Sequence, residues 1–369
     1  MMKIKTITCH DVHNFGASLQ AHALMKYIEN KGHDVEIINY KPDYLSFSLW
    51  RIGDKWSKNI LLKILYFGYV VPVRILNFGR RIKFSQFNRK YLKLTPTTYK
   101  TFGELKLNAP KADVFFAGSD QIWNTGVQNG KDPAFYLDFA PENSIRASYA
   151  ASFSVSQIDV AYKPLVESLL QKMDFISVRE KTGLEILKSF GIDGVHVLDP
   201  VFLLNKTYWQ NFVESIYPQK YIFVYDQENN EIIKNVAIRI ASEQNLKIVT
   251  IKNLYPLNYA DKKFVNVGPI EFLSLIFNCE ICLTNSFHCT AFSLIFEKEV
   301  FVFKRTHEKV NSRMIDLLNM VGMSKHIIES ENDTIEFGKT DFEMVNSILN
   351  NTRKSSEDYI DNVLNFKKL

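Results

Sequence analysis

The chain has 369 residues, 46% of them hydrophobic and 23% charged, a globular profile too long for one ordinary core, so two domains are expected. Four cysteines without a paired framework, and an N-terminus (Met1 to Cys9) too short and too polar for a signal peptide, argue against an exported disulfide scaffold and point to the cytoplasm. The net charge of +5 is unevenly held: residues 51–93 carry eleven basic side chains against Asp54 alone, a balance of +10 that leaves −5 for the rest.

Along the chain, Lys3 to Cys9 reads as a strand, Ser18 to Asn30 as a helix opened by Asn14-Phe15-Gly16, and Val35 to Tyr40 as a strand. The basic segment follows. Its apolar run, Ile60 to Val73, is broken by Lys63 and Pro72 with Arg74 beyond, which excludes a spanning helix of ~20 mostly uncharged residues. Its basic, aromatic and apolar mixture suits an interfacial segment on an anionic membrane or, more plainly, basic helices packed on the first domain. No nucleic-acid module accompanies the charge, so no nucleic-acid partner is expected. Asp113 to Ala117 and Arg146 to Phe153 read as strands, Pro164 to Met173 as a helix, Phe175 to Val178 as a strand, Lys181 to Phe190 as a helix, and Val195 to Leu198 as a strand.

The second half repeats this alternation. Strands are expected at Tyr221 to Tyr225, Lys247 to Ile251, Phe264 to Val267, Ile281 to Leu283 and Val300 to Phe303. Helices are expected at Glu231 to Glu243, Pro269 to Asn278, His288 to Glu297 and Asn311 to Val321. Such βαβ grammar means mainly parallel sheets. The expected fold is α/β, with two Rossmann-like doubly wound domains facing across a cleft. Residues 1–204 form the first, with the basic insertion at 50–100. Residues 205–369 form the second, whose charged last helix (341–369) can cross back onto the first.

Polar residues gather where the strands end, the places at which open α/β sheets bind ligands. They include Asn14 and Gly16, then Gly118, Ser119 and Asp120, then Arg179, Asp199, Asn285, Ser286, His288, Lys304 and Arg305. Asn285 and Ser286 suit a helix N-cap, and the free N–H groups of that helix start point at any anion placed there. His288 then stands beside the anion, or is simply a satisfied helix residue. Gly118 allows close backbone approach. Asp120 can act as a general base or orient a hydroxyl. Trp123 and Asn124 suit a sugar, or an Asx-type turn with a buried Trp. Arg179 can clamp a carboxylate or phosphate, or pair with Glu180 or Asp199. Lys304-Arg305-Thr306-His307, near Asn311-Ser312-Arg313, can balance a phosphorylated ligand or form a solvated loop. Cys279-x-x-Cys282 has no matching second pair and leads into a buried strand, so no metal is expected. No Gly-x-Gly-x-x-Gly or Walker loop is present, and no cofactor is expected.

Taken in order, His13-Asn14-Phe15-Gly16-Ala17-Ser18-Leu19-Gln20-Ala21-His22-Ala23-Leu24, Gly118 to Asn124, Ser148 to Phe153, Ser177-Val178-Arg179-Glu180, Val197 to Pro200 and Thr284 to His288 resemble the polysaccharide pyruvyl transferase family. The resemblance implies a GT-B-like pair of domains, acceptor side first and donor side second. It also implies transfer of pyruvate from phosphoenolpyruvate onto two hydroxyls of a sugar, forming a ketal on a surface polysaccharide or its lipid-linked precursor. It maps an anion-binding arginine onto Arg179, an active-site histidine onto His288, an acid onto Asp120, and places Gln20 among substrate-binding positions. The implied partners are phosphoenolpyruvate and a glycan carried on polyprenyl diphosphate, and the basic, aromatic 51–93 segment adds peripheral contact with an anionic membrane as an expectation. Many members have Arg-Leu-His where Ser286-Phe287-His288 stands, and an acid where Ala17 stands; Lys304 or Arg305 is the candidate to supply the missing charge. The rival readings are a nucleotide-sugar glycosyltransferase on the same architecture and an inactive glycan-binding member of the family.

Overall fold

The computed structural model describes residues 1–45, 59–60, 66, 68, 78–251, 257–306 and 311–368. Two parallel sheets organise it. The first contains β1 (Lys3–Ile7), β2 (Asp34–Tyr40), β3 (Leu94–Tyr99), β4 (Val114–Ala117) and β5 (Ile145–Ser148), in the order β3-β2-β1-β4-β5. Isolated bridges carry β5 on to a short parallel pair, β6 (Ser177–Val178) and β7 (Val195–His196). The second contains β8 (Tyr221–Tyr225), β9 (Lys247–Ile251), β10 (Lys262–Phe264), β11 (Ile281–Thr284), β12 (Glu299–Phe303) and β13 (Ile327–Ile328), in the order β10-β9-β8-β11-β12-β13. Both orders reverse direction beside their first strand, as in doubly wound folds. The central strands are apolar throughout: Val-Phe-Phe-Ala in β4 and Tyr-Ile-Phe-Val-Tyr in β8 are wholly buried, because a parallel sheet is covered on both faces.

The helices are α1 (Phe15–Asn30), α2 (Phe78–Tyr91), α3 (Phe102–Leu107), α4 (Lys163–Leu170), α5 (Lys181–Ser189), α6 (Lys206–Gln210), α7 (Glu231–Gln244), α8 (Pro269–Asn278), α9 (Phe287–Ile295), α10 (Ser312–Met320) and α11 (Phe342–Asn365). The last is a strap between the lobes. Val345 and Leu349 join the apolar cluster built on the second sheet. Tyr359, Ile360, Val363 and Leu364 join the cluster of Ile4 and Leu24 in the first, where the Tyr359 hydroxyl donates to the Ser148 carbonyl at 2.8 Å.

Several expectations shift. The strand β3 falls in the stretch read as the basic insertion, and the helix α3 follows it where no element was expected. β3 carries Pro96 and lies at the sheet edge, where a missing N–H is tolerated. The strand expected at Phe264 to Val267 is seen instead at Lys262–Phe264. Most of the segment proposed for membrane contact (51–58, 61–65, 67 and 69–77) lies outside the described residues. The described remainder, α2, packs inward: Phe84 and Phe87 are buried, Lys83 pairs with Glu271 of α8, and Asn88 donates to the His10 carbonyl at 3.0 Å. Among the described residues no helix is long and apolar enough to cross a membrane.

Candidate functional site

Between the sheets, a cavity of about 90 Å³ opens at the C-terminal ends of β1, β4, β8 and β11. These are the strands at which each sheet's order reverses, the position that open α/β sheets reserve for ligands. Its walls include Asn14 and Gly16 after β1, Asp120 and Gln121 after β4, Tyr225 and Gln227 at the end of β8, Asn285 to His288 after β11, and Arg305 after β12. Arg313 completes the ring. Three helices begin here: α1, α9 and α10. Each presents unpaired N–H groups and the positive end of its dipole, so their convergence favours a small anion.

The helix starts are set locally. Asn14 caps α1, its Oδ1 accepting from the Ala17 N–H at 3.2 Å. Gly16 lies against the His288 ring so closely that a Cβ there would sit 1.9 Å from Nδ1; only glycine permits this meeting of α1 and α9. Asn285 is 1% exposed and spans the site, donating to Asp226 at 2.7 Å and accepting from the Gln227 N–H at 3.0 Å. Ser286 occupies the N-cap position of α9, but its side chain caps nothing.

Behind the wall lies a buried charge network centred on Asp199. Its Oδ2 accepts from Arg179 Nη1 at 2.6 Å and from Ser119 Oγ at 3.4 Å, and faces His288 Nε2 at 3.5 Å. Its Oδ1 accepts from the Val201 N–H at 3.1 Å. Burial alone would raise the Asp199 carboxyl's pKa, but His288 and Arg179 together hold it well below the usual carboxylate range. Arg179 also faces Asp120 at 3.6 Å and stacks on Phe287 at 4.8 Å from the ring centre. Burial opposes its charge, yet Asp199 and Asp120 raise its pKa. Asp120 holds a left-handed backbone, φ 74°, its carbonyl accepting from the Ile122 and Ser152 N–H groups. Such a conformation in a non-glycine residue is characteristic of functional loops.

The structure thus brings His288, Asp120, Asn14, Gly16, Asn285, Ser286 and Arg305 to one cavity. Arg179 and Asp199 sit one layer behind. Other expected residues point elsewhere. Gln20 is fully buried, bonded to Thr8, the Ala17 carbonyl and the Ser119 N–H. Ser119 is likewise internal. Gly118, at φ +123°, is close to the chain rather than to the cavity, since a Cβ would meet the Tyr149 carbonyl at 2.2 Å. Trp123 is no sugar platform: it is fully buried, stacks on Tyr136 and donates to the Phe135 carbonyl at 3.0 Å. Asn124 closes a turn with the Gly126 N–H at 2.9 Å. Lys304 pairs with Glu329, away from the cavity walls. His307 lies outside the described residues. Arg313, Gln121, Tyr225 and Gln227 also line the cavity, although no sequence motif singles them out. The strand-end position of the last three was the available signal.

The architecture and site define an α/β protein of two Rossmann-like lobes facing across a cleft, with helix N-termini gathered at the cleft floor. A sequence model of the polysaccharide pyruvyl transferase family matches residues 14–307, and the chain belongs to that family, whose members are transferases of polysaccharide biosynthesis. No curated protein matches the sequence. Among solved structures, a Listeria monocytogenes protein assigned as a UDP-N-acetylglucosamine 2-epimerase covers 97% of this chain and 90% of its own, with TM-score 0.52 and 10% identity. A UDP-GlcNAc 2-epimerase from Methanocaldococcus jannaschii, in complex with UDP-GlcNAc and UDP, covers 98% and 99% with TM-score 0.48 and 14% identity. A spinosyn rhamnosyltransferase covers 99% and 100% with TM-score 0.47 and 9% identity. At this identity the likeness to the Listeria protein concerns the fold alone.

Proposed function

We propose that the protein transfers pyruvate from phosphoenolpyruvate onto two hydroxyls of a sugar in a surface polysaccharide or its polyprenyl-diphosphate-linked precursor. The observation that carries this reading is the placement of His288. Its Nε2 is buried against Asp199, its Nδ1 side meets Gly16, and three helix N-termini surround it. That is an imidazole at the edge of an anion pocket, with a buried carboxylate behind it that fixes the ring.

The donor lies with its charged groups toward the starts of α1, α9 and α10. Its enol carbon is a poor electrophile until the methylene is protonated. His288 gives that proton, the methylene becomes a methyl group, and C2 acquires oxocarbenium character. A sugar hydroxyl adds to C2 while Asp120 accepts its proton. The C2–O bond to phosphate then breaks with the electron pair leaving on phosphate. A neighbouring hydroxyl closes the ketal, and its proton leaves with the phosphate. The proton taken up by Asp120 returns to His288 to restore the enzyme, and one diol and one phosphoenolpyruvate become one ketal and one hydrogen phosphate. Fixed dipoles aimed at the developing charge supply the main stabilisation.

Mass spectrometry of a lipid-linked oligosaccharide incubated with the protein and phosphoenolpyruvate tests this directly. A gain of one pyruvate ketal is expected. Hexose addition from a UDP- or GDP-sugar, with no change from phosphoenolpyruvate, would replace the reading with glycosyl transfer. Because a general acid contributes ~10²–10⁴-fold, His288→Ala should lower turnover by about that factor with the fold retained. The acceptor's lipid carrier and the basic balance of 51–93 together support peripheral contact with an anionic membrane on the cytoplasmic face. Salt-sensitive sedimentation with phosphatidylglycerol vesicles is the corresponding measurement, and absence of binding at low salt would remove that part of the proposal.

A further inference from the structure

Three arginines stand at or just behind the cavity, and two of them have acids. Arg179 is paired with Asp199 at 2.6 Å, and Arg305 with Glu228 at 3.2 Å. Arg313 is different. It is 7% exposed and forms no ion pair among the described residues; its buried Nε has no hydrogen-bond partner, a lack it shares with Nε and Nη2 of Arg179. Its guanidinium lies 5.8 Å from the centre of the Phe287 ring, whose centre is 4.8 Å from Arg179, so two cations share the neighbourhood of this ring. Burial, and next the charge of Arg179, lower the Arg313 pKa to about 10, with the more distant Glu180, Asp120 and Asp199 countering in part, which leaves it charged at neutral pH.

This placement is unfavourable on two counts. An unpaired charge is held out of water, and it sits in the first turn of α10, where the helix dipole already opposes a cation. The cavity supplies the reason. Arg313 lines it together with His288 and the starts of α1 and α9. A bound oxyanion would satisfy the guanidinium and the helix N-termini at once.

We infer that Arg313 is the principal charge partner of an oxyanion bound in this cavity, a phosphate or carboxylate group of the donor. It takes the place of the arginine that many family members carry where Ser286 stands. Lys304 and Arg305, the residues expected to do so from sequence, are engaged by Glu329 and Glu228. The inference rests on the pyruvyl-transfer reading for the donor's identity; the anion site itself rests on the geometry of Arg313.

Thermal unfolding and titration calorimetry of the full chain, with phosphoenolpyruvate, inorganic phosphate and pyruvate in separate arms, test it. Phosphoenolpyruvate should stabilise the wild type, and the stronger of the two smaller probes tells which oxyanion Arg313 meets. In Arg313→Met the dissociation constant for phosphoenolpyruvate should rise at least ~30-fold, as expected when one partner of a buried charge pair is truncated. Its ligand-free Tm should rise by a few degrees, because a buried unpaired charge is gone. A merely structural arginine would not combine these two changes. Arg313→Lys should bind with intermediate affinity, since an ammonium keeps the charge and loses the fork. Wild-type affinity for every probe in folded Arg313→Met overturns the inference. If Arg313→Met does not fold, unchanged affinity in Arg313→Lys overturns it equally. A wild type that binds none of the three anions also overturns it. Arg313-dependent binding of phosphate or pyruvate, without binding of phosphoenolpyruvate, would uphold the anion site and overturn the pyruvyl reading.

Discussion

Asp199 organises the site although it never reaches the cavity. One carboxylate positions Arg179, faces His288 and caps the turn at Pro200–Leu203. Removing one member of a buried, hydrogen-bonded charge set costs about 3–5 kcal/mol. Asp199→Asn should therefore lower the unfolding free energy at neutral pH by about that much, read as a lower urea midpoint at unchanged slope; a midpoint equal to wild type would mean that the network is slack. The pH dependence has a definite sign. The folded carboxyl titrates below its unfolded value of about 3.9, so its contribution is complete above that pH and is lost as the pH falls toward the folded value. The wild-type advantage over Asp199→Asn should shrink only in that acid range. Gly16 acts just as locally. With a Cβ overlapping the His288 ring, Gly16→Ala must displace the imidazole, and a shift of about 1 Å can cost ~10²-fold in rate. Turnover near wild type in Gly16→Ala would show that the ring's position is not limiting. Asp199, His288 and Asp120 were legible in the sequence as polar residues ending apolar strands. Trp123 misled because its neighbours look like a binding loop, whereas its indole is buried with Tyr136 and Phe153.

At the scale of elements, the sequence was read best where strands are buried on both faces. β8, β9 and α8 begin and end where the apolar pattern does. β3 was not seen, because Leu-Thr-Pro-Thr-Thr-Tyr has neither a continuous apolar run nor clean alternation, and only sheet pairing makes it a strand. α10 was expected, but no local pattern announced that its first turn would bring Arg313 to a cavity formed with residues almost 300 positions earlier. α2 shows why charge alone read poorly. Its basic residues are partly spent inside the molecule: Arg80 donates to the His13 carbonyl at 3.1 Å and covers the Phe15 ring at 4.7 Å, while Lys83 reaches Glu271. Phe84 then stacks on Phe15 at 5.3 Å, and Phe15 on Phe272 of the second lobe at 4.5 Å. Phe84→Ala should cost about 3–5 kcal/mol, the usual range for a buried Phe, read as a lower urea midpoint at unchanged slope. A loss well below 1 kcal/mol would show that α2 lies on the surface rather than bracing the seam.

For the whole molecule, the seam between lobes is itself a core. One apolar cluster takes in Phe15, Leu19 and Ala23 of α1, Phe84 and Phe87 of α2, Trp209 of α6, and Phe223, Phe272 and Phe292 of the second lobe. Domains joined through so much apolar surface do not swing freely, so the cavity's geometry is tied to global stability. His22 lies in this seam. Its Nδ1 is 2.8 Å from the Tyr91 carbonyl, which can only accept, and its Nε2 is 2.6 Å from the Tyr208 hydroxyl, which must then donate. The ring is neutral, and burial, only partly countered by the Tyr91 bond, lowers its pKa to about 4. The unfolded chain takes up that proton near pH 6.5. Between about 6.5 and 4 the unfolded state holds more protons, so stability falls as the pH drops. At roughly pH 5 this single residue costs about 2 kcal/mol. His13, lowered to about 4, the buried His10 and the half-buried His196 shift in the same direction, so the wild-type slope should be steeper than His22 alone would give. Comparing urea midpoints of wild type and His22→Gln from pH 7 to 5 isolates its share. The variant should be less stable at pH 7, where two seam hydrogen bonds are altered, and should lose less on acidification. Parallel slopes in the two proteins would mean that His22 is already protonated in the folded seam, and that the Tyr208 hydroxyl accepts rather than donates.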